Sequence, residues 1–444
     1  MNEITLEDYR CFHTRQVARL APLTLLVGDN STGKTSLLAM IRVLWDCIYN
    51  DYDPRIPNFK EEPFDFGSFD EIAHHRSERS GPASTFEAGV SIDQGLEAEF
   101  VFGKEGTIPE PVKVRFADGD NWIENRYDDE GNHKMRVGTR RGTWEIPAPW
   151  NVPGRAMSLL TPRWLLSLMG RGIFYADDGK AKSREFIRLD GTPSFSRTDA
   201  DSIAGSRFLN FRPAKERPYV SAPIRSKPRR TYDPAILTPD PEGDHVPMLM
   251  ADLAVKDDGV WTNLKQELER FGSSAGIFDE INVKRFGKSG SAPFQIHVRK
   301  SGNKRKGPKQ NLIDVGYGIS QVLPILTELL QPNISRIALL QQPEVHLHPS
   351  AQAALGSLFC RVAGRGRQLV IETHSDRLID RIRMDVRDSE TELKPEDVSI
   401  LFFERNDLSV QIHSIRIDNL GNVLDAPDNY GRFFMEETKR SLGI

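Results

Sequence analysis

The chain has 444 residues, 38% of them hydrophobic and 27% charged, with a formal net charge of −4. That composition fits an ordinary soluble protein of two to three domain-sized units, excludes disordered and fibrous classes, and confines any nucleic-acid surface to a local patch. Three widely spaced cysteines, Cys11, Cys47 and Cys360, give no disulfide framework and no cysteine metal cage.

The opening MNEITLEDYRCF has no basic stretch followed by an apolar run, and no window approaches about 18 consecutive apolar residues, so a cytoplasmic protein without a membrane span is expected. Residues 2–12 alternate as a strand with Ile4 and Leu6 on one face, and a second short strand follows at 15–20. The run PLTLLVGDNSTGKTSLLAMIRVLWD then reads as buried strand 23–27, a glycine-bearing loop, and a helix from Lys34 that turns Leu37, Leu38, Ile41 and Leu44 or Trp45 inward. Residues 50–80 are rich in turn formers. From 86 to 145 the segments FEAGVSI, LEAEFVF, VKVRFAD, HKMRVGTR and TWEI predict an antiparallel sheet.

The stretch 146–246 is poorly periodic, an inserted lobe or long surface excursions, with one helical candidate in PRWLLSLMGRGIFY. A helix over 246–271, broken near 257–259, precedes a strand pair, INVKRF and FQIHVRK. The remainder predicts helix 319–330, strand 337–340, helix 350–363, strand 369–373, helix 376–386 and strands near 398–403 and 409–415. Apolar strands separated by helices predict an α/β fold with a largely parallel sheet, an antiparallel layer beside it and no long coiled coil. We divide the chain into 1–145, an N-terminal half with the glycine loop; 146–246, the irregular stretch; 247–310, a helix with a small β element; and 311–444, a C-terminal half.

Gly28-Asp29-Asn30-Ser31-Thr32-Gly33-Lys34-Thr35 fits G-x-x-x-x-G-K-[ST] between a predicted strand and a predicted helix, which is the context a phosphate-binding loop requires. The glycines let backbone N–H groups turn inward at the β-phosphate, and the helix N-terminus adds its positive end. Lys34 is expected to reach the β- and γ-phosphates of ATP and the Thr35 hydroxyl to ligate Mg2+, with Asn30, Ser31, Gly33 and Ser36 completing the cradle.

The carboxylate that holds the metal in such a site comes from a neighbouring strand end. Strand 337–340 runs instead into Gln341-Gln342-Pro343-Glu344-Val345-His346-Leu347-His348. Gln341 is read as the metal-facing position and Gln342 as the water-facing one, although an amide carries no charge and takes no proton at neutral pH. Glu344 is either a base or metal-water ligand, or a structural part of the turn. His346 and His348 are spaced like a metal pair, but Pro349 favours a strand-to-helix turn. At the end of strand 369–373, His374 is placed to hydrogen-bond the γ-phosphate and Glu372 offers a carboxylate.

With these motifs in hand, the chain resembles an AAA-type ATPase of the ABC superfamily related to the Rad50, RecF and overcoming-lysogenization-defect (OLD) proteins, closest to bacterial ATPases with a DUF3696-like C-terminal region. NEITLEDYRCF, GDNSTGKTS, DVGYGISQVLPIL, QQPEVHLHPSAQAAL, VIETHSDRLIDRIR, EDVSILFFE and DNLGNV carry the resemblance. It implies that residues 314–321, with Gly316, Gly318 and Ser320, form a signature segment covering the γ-phosphate bound to the opposite subunit. It further implies that Arg10 lies near the adenine or phosphates, that His374 is a switch histidine, and that Asp65-Phe66-Gly67-Ser68-Phe69 takes the place of a glutamine-bearing loop. The family usually carries an acid where this chain has Gln341, so ATP binding is expected with hydrolysis slowed or absent.

The implied function is an ATP-binding, head-to-head homodimer or higher even oligomer acting as a switch in prokaryotic antiviral defence or DNA maintenance. No clustered acidic nuclease motif is present, so a nuclease would be a separate effector protein. The alternative is a scaffold held together by ATP without turnover. A transporter ATPase would need the segment L-S-G-G-Q, which is lacking. Two basic clusters, Arg299, Lys300, Lys304, Arg305, Lys306 and Lys309, and Arg225, Lys227, Arg229 and Arg230, are candidate contacts to nucleic-acid phosphates or else solvated loops or partners of the chain's own acids, and packing near the nucleotide is a further alternative for the second.

Overall fold

The apolar runs LTLLV, IALLQ, QLVIE and VSILFF lack the alternation of a half-exposed strand, and strands buried on both faces read this way. In a computed structural model of the chain they lie side by side. The structure describes residues 1–49, 58–77, 81–92, 95–127, 133–146, 187–188, 199, 202–203, 205–207, 216–234, 238–256, 259–287, 292–302, 305–332 and 336–431. The helical candidate at 162–175, most of the irregular stretch, and Lys304 lie outside these residues.

Two units interleave along the chain, one made of Met1–Leu20, Ser31–Lys215 and Glu404–Ile412, the other of Ala21–Asn30, Glu216–Phe403 and His413–Ile444. The second unit is built on a seven-stranded sheet in the order Tyr219–Ser221, Ile337–Gln341, Gln368–Glu372, Leu23–Gly28, Val398–Asn406, Ser409–Ile417, Val423–Leu424. The first five strands run parallel. Their register sets Gln341 beside Glu372, and Glu372 beside Leu26, so three strands end together at one edge. Helix Pro349–Gly364 packs on the two central strands. The core includes Leu25, Val27, Leu340, Ile371, Ile400 and Phe402, joined by Val322 and Ile325 of helix Tyr317–Leu330. Helices Val246–Lys256 and Val260–Ser274 follow one another with the break where it was expected, and Gly259 at φ 82° caps the second. A three-stranded sheet of Glu280–Arg285, Phe294–Arg299 and Gln310–Asn311 completes the unit's described β structure.

The first unit carries a nine-stranded antiparallel sheet running from Ile187–Arg188 through the strands of 85–146 to Glu3–Glu7 and Gln16–Arg19. Helix Lys34–Tyr49 packs against its strand Thr85–Ile92. Phe59, Phe69, Phe86, Phe100 and Phe102 form a connected aromatic core, with ring centroids 5.0–6.2 Å apart. The expected α/β class, a parallel sheet and an antiparallel one, is what the structure has. Among the strands that went unread in the sequence are Asn121–Tyr127 in the middle of the antiparallel sheet and Tyr219–Ser221 at the edge of the parallel one. Among the described residues no helix is long and apolar enough to cross a membrane.

Candidate functional site: a phosphate loop and a strand-end turn

The loop from Gly28 to Gly33 has the backbone a phosphate cradle needs, and each end of it is held for a visible reason. Gly28 has φ 144°, and a Cβ there would come within 2.5 Å of the Phe403 carbonyl oxygen on the adjacent strand. Gly33 has φ 87°, and a Cβ there would meet the Phe12 ring at 2.9 Å as well as Cys11 Sγ. Between them Ser31 takes φ 61°, a left-handed conformation that costs a non-glycine residue about 1–2 kcal/mol. Arg405 donates to the Ser31 carbonyl and helps to hold that turn. The Leu37 N–H reaches Gly33 O at 3.0 Å and starts the helix, and Tyr9 Oη donates to Ser36 O at 3.1 Å. Helix Lys34–Tyr49 has no acid in its own first turn, and the positive end of its dipole favours an anion. Lys34, Thr32 and Ser36 are buried. Cys11 lies 3.7 Å from Thr32 O, and burial pushes its thiol up to about 11, which keeps it protonated.

Arg10 also has positive φ, 49°. Its guanidinium lies 4.1 Å above the Phe66 ring, and its carbonyl accepts a 2.6 Å hydrogen bond from His74 Nδ1. Arg10 Nη1 is buried with no hydrogen-bond partner. The Asp65–Phe69 segment is ordered by Glu71, whose Oε2 accepts from Ser68 N at 2.6 Å and Ser68 Oγ at 2.9 Å.

In the second unit, Gln341 ends its strand buried, and its Nε2 has no hydrogen-bond partner. The chain then turns sharply, with Gln342 at φ 41° and its N–H donated to Glu372 O at 2.8 Å. Glu344 is buried beneath this turn. Its Oε1 accepts from Thr373 Oγ1 and from His374 N, both at 2.8 Å, while Oε2 has no partner. Burial raises its carboxyl above the ordinary value, against those hydrogen bonds. Glu344 therefore joins the Gln341–Gln342 turn to the Thr373–His374 strand end, and still has one oxygen to offer. His346, with φ 67°, is exposed and meets the Tyr317 ring edge-to-face at 5.0 Å. His348 caps helix Pro349–Gly364, accepting from Ser350 N, so the two histidines serve a turn.

Helix Tyr317–Leu330 opens directly on that turn, since a Cβ on Gly318 would come within 2.5 Å of His346 O. Ser320 is buried and its hydroxyl donates to Tyr317 O at 2.8 Å, so in this state its proton is committed inside the helix. Asp314, Gly316 and Tyr317 are the exposed residues of the 314–321 segment.

One member of the second basic cluster needs correction. Arg225 is 1% exposed and cannot meet a polyanion, while Arg229 pairs with Asp244 at 2.7 Å and Arg230 with Asp314. In the other cluster Arg299 and Lys306 both pair with Glu280, and Lys300, Arg305, Lys306 and Lys309 are exposed. Arg225 instead donates to Ala222 O at 3.1 Å, Gln342 O at 3.3 Å and Gln341 O at 3.4 Å. Sequence reasoning had it facing nucleic acid or packing near the nucleotide. The one local clue was that Arg225 directly follows the apolar stretch YVSAPI.

The buried, unpartnered atoms of Gln341 and Glu344 suit a polar ligand, because native proteins rarely leave such groups unsatisfied. The loop fits a nucleotide's phosphates, and the strand end offers an amide and a carboxylate suited to a metal-bound water.

Residues 254–380, less than a third of the chain, match the family model described as "AAA domain, putative AbiEii toxin, Type IV TA system". The matched stretch spans Gly316–Ser320, the Gln341–His348 turn and His374, and stops short of the phosphate loop. No curated protein matches the chain. Among solved structures, an Smc head bound to the C-winged helix domain of ScpA has TM-score 0.44 and 9% identity, over 94% of this chain and 97% of that one. The SMC head domain from Thermotoga maritima has TM-score 0.40 and 11% identity, over 94% and 99%. The Pyrococcus furiosus Smc head domain with an extended coiled coil, bound to the C-terminal domain of ScpA, has TM-score 0.43 and 8% identity, over 100% and 98%.

Proposed function

We propose that the chain binds Mg·ATP and works as a head-to-head dimeric switch, in prokaryotic antiviral defence or DNA maintenance, that controls a separate effector protein. The observation that carries this reading is the loop itself: a parallel strand ends in Gly28, the backbone turns through positive φ at Ser31 and Gly33, and a helix starts at Lys34. Ligands of open parallel sheets bind at such strand ends. The matched family's description, which names a toxin–antitoxin system, favours the defence setting.

In this reading Asn30, Ser31, Gly33 and Ser36 cradle the phosphates, Lys34 neutralises them, and Arg10 lies against the base or phosphates. Thr35 and the Gln341 side-chain carbonyl hold the metal, which when bound supplies charge stabilisation at the phosphates. Gln342 orients water, Glu344 accepts its proton, and His374 reports the γ-phosphate. Gly318 and Ser320 belong to the segment that meets the opposite protomer's nucleotide, with Gly316 and Tyr317 among its exposed residues. Nucleic acid, where it binds, meets Lys300, Arg305 and Lys309.

The amides at Gln341 and Gln342 favour a second reading, a scaffold that holds ATP without turnover. Magnesium-dependent ATP turnover by the chain, by Lys34→Ala and by Gln341→Glu separates the two. Turnover lost in Lys34→Ala supports the switch as it stands, and turnover that appears only in Gln341→Glu marks a trapped ATPase. Tight ATP binding with no turnover in any form selects the scaffold, and failure to bind ATP refutes both.

A further inference from the structure

The segment around Arg225 is bound on two sides. On one, Gln321 of helix Tyr317–Leu330 accepts from Arg225 N at 3.2 Å and donates through Nε2 to Arg225 O at 3.3 Å and Ser226 O at 3.5 Å. On the other, the Arg225 guanidinium holds the carbonyls of Gln341 and Gln342. Both side chains are 1% exposed. Gln321 is a polar residue on the buried face of an apolar helix, and Arg225 is a cation removed from water; neither is retained there for packing alone. The turn that Arg225 grips is the one with left-handed Gln342, a conformation that persists only where neighbours impose it. Arg225 Nε is buried without a partner, so this guanidinium is not an optimised structural filler.

We propose that Arg225 and Gln321 are positioning residues that lock the start of helix Tyr317–Leu330 to the Gln341–Gln342 turn, so that the two move as one body when nucleotide binds. This rests on the dimeric-switch reading above. There the helix start faces the opposite protomer's nucleotide and the turn faces the chain's own, and the lock transmits occupancy of one site to the other. Gly318 packed on His346 O gives the same two elements a second, steric contact. A guanidinium suits the task because its fixed fork reaches two adjacent carbonyls at once, which a point-like ammonium does not.

The test measures Mg·ATP affinity and ATP-driven dimerisation, by sedimentation velocity, for the full chain, Arg225→Met, Arg225→Lys and Gln321→Leu, with thermal melts alongside. The expected result is ATP affinity of the chain's own site, measured at dilution where the chain is monomeric, within about twofold of the parent chain, and dimerisation weakened by roughly tenfold or more in Arg225→Met and Gln321→Leu, with partial recovery in Arg225→Lys. Should Arg225→Met not fold, Gln321→Leu carries the test. Unchanged ATP-driven dimerisation in a folded variant overturns the lock and leaves the switch standing. Affinity and dimerisation falling in proportion to a lower melting temperature assign Arg225 to stability alone and also overturn the lock. A parent chain that does not bind ATP, or binds it and stays monomeric, overturns the switch and the lock together.

Discussion

Gly318→Ala sets two effects of opposite sign against each other. Alanine in a helix is favoured over glycine by about 0.5–1 kcal/mol, and less near the first turn, so on propensity alone the variant should be slightly more stable. Here the new methyl would come within 2.5 Å of His346 O and 3.3 Å of Leu347 Cδ2, where ordinary contact is 3.4–4 Å. The obstructing atom is main chain, in a turn already fixed by left-handed Gln342 and His346, and it cannot swing aside as a side chain would. Overpacking of this kind costs about 1–3 kcal/mol. The clash wins, with a net loss on the order of 1–2 kcal/mol and a melting temperature lower by about a few degrees. Gly316→Ala is the control: a Cβ there meets nothing within 4 Å, and its backbone is extended at φ −55°, ψ 138°. Alanine is a poorer N-cap than glycine, so the change should cost about 0.5–1 kcal/mol, with no steric term added. Thermal and urea unfolding of both variants gives the answer. Gly318→Ala at or above the stability of the parent chain would refute the seating of this helix on the His346 carbonyl.

Glu344→Gln should flatten part of the stability profile. Burial raises the Glu344 carboxyl, so the folded chain keeps a proton the unfolded chain releases, and stability falls as pH rises from about the ordinary 4.5 through the folded value; parallel profiles for parent and variant would contradict this. His245 behaves in the opposite sense to its burial: desolvation lowers its pKa, but contacts with Glu328 at 2.7 Å and Asp240 at 3.2 Å raise it above 6.5 overall. Its contribution is therefore complete below about pH 6.5 and lost as pH rises through the folded value, and Glu328→Gln should lower the imidazole titration followed by NMR. If nucleic acid binds at the 299–309 loop, charge reversal of Lys300, Arg305 and Lys309 together should weaken it and reduce the slope of log K against log salt by up to about 0.9 per lost contact; an unchanged slope would remove this loop from the interface.

Local pattern made some of these features legible and left others hidden. Strand Leu23–Gly28, its loop and helix Lys34–Tyr49 are specified by neighbours within a few residues, and so they read directly from sequence. Strand Asn121–Tyr127 did not, because it buries Glu124 and Asn125 beside Ile123 and so breaks the apolar alternation; Lys113, 3.4 Å from Glu124, is what makes that burial tolerable. Tyr219–Ser221 is too short to show any period. Arg225 was misread for a different reason: its partners at Gln341 and Gln342 are 116 and 117 residues away, and burial decided by such contacts leaves no mark on composition. Ser320 shows the limit of motif reading, since residue type and spacing suited an anion while the hydroxyl turned inward to Tyr317.

Register and burial also bear on why an amide at position 341 is tolerable. Gln341 and Glu372 are direct neighbours on parallel strands, both buried, with their side chains on the same face of the sheet. An acid at 341 would set two carboxylates side by side in a region that already buries Glu344, with Arg225 the nearby buried cation acting on it. Like charges so placed repel strongly when desolvated, unless a metal ion or a proton intervenes. The amide removes that requirement, and the strand end can form with neither. On the proposed reading it also removes a charge that would draw a divalent ion to this strand end, so the amide that eases the fold without a metal would weaken a metal's hold there. On that reading the identity of residue 341 bears on the choice between a cycling switch and a static scaffold.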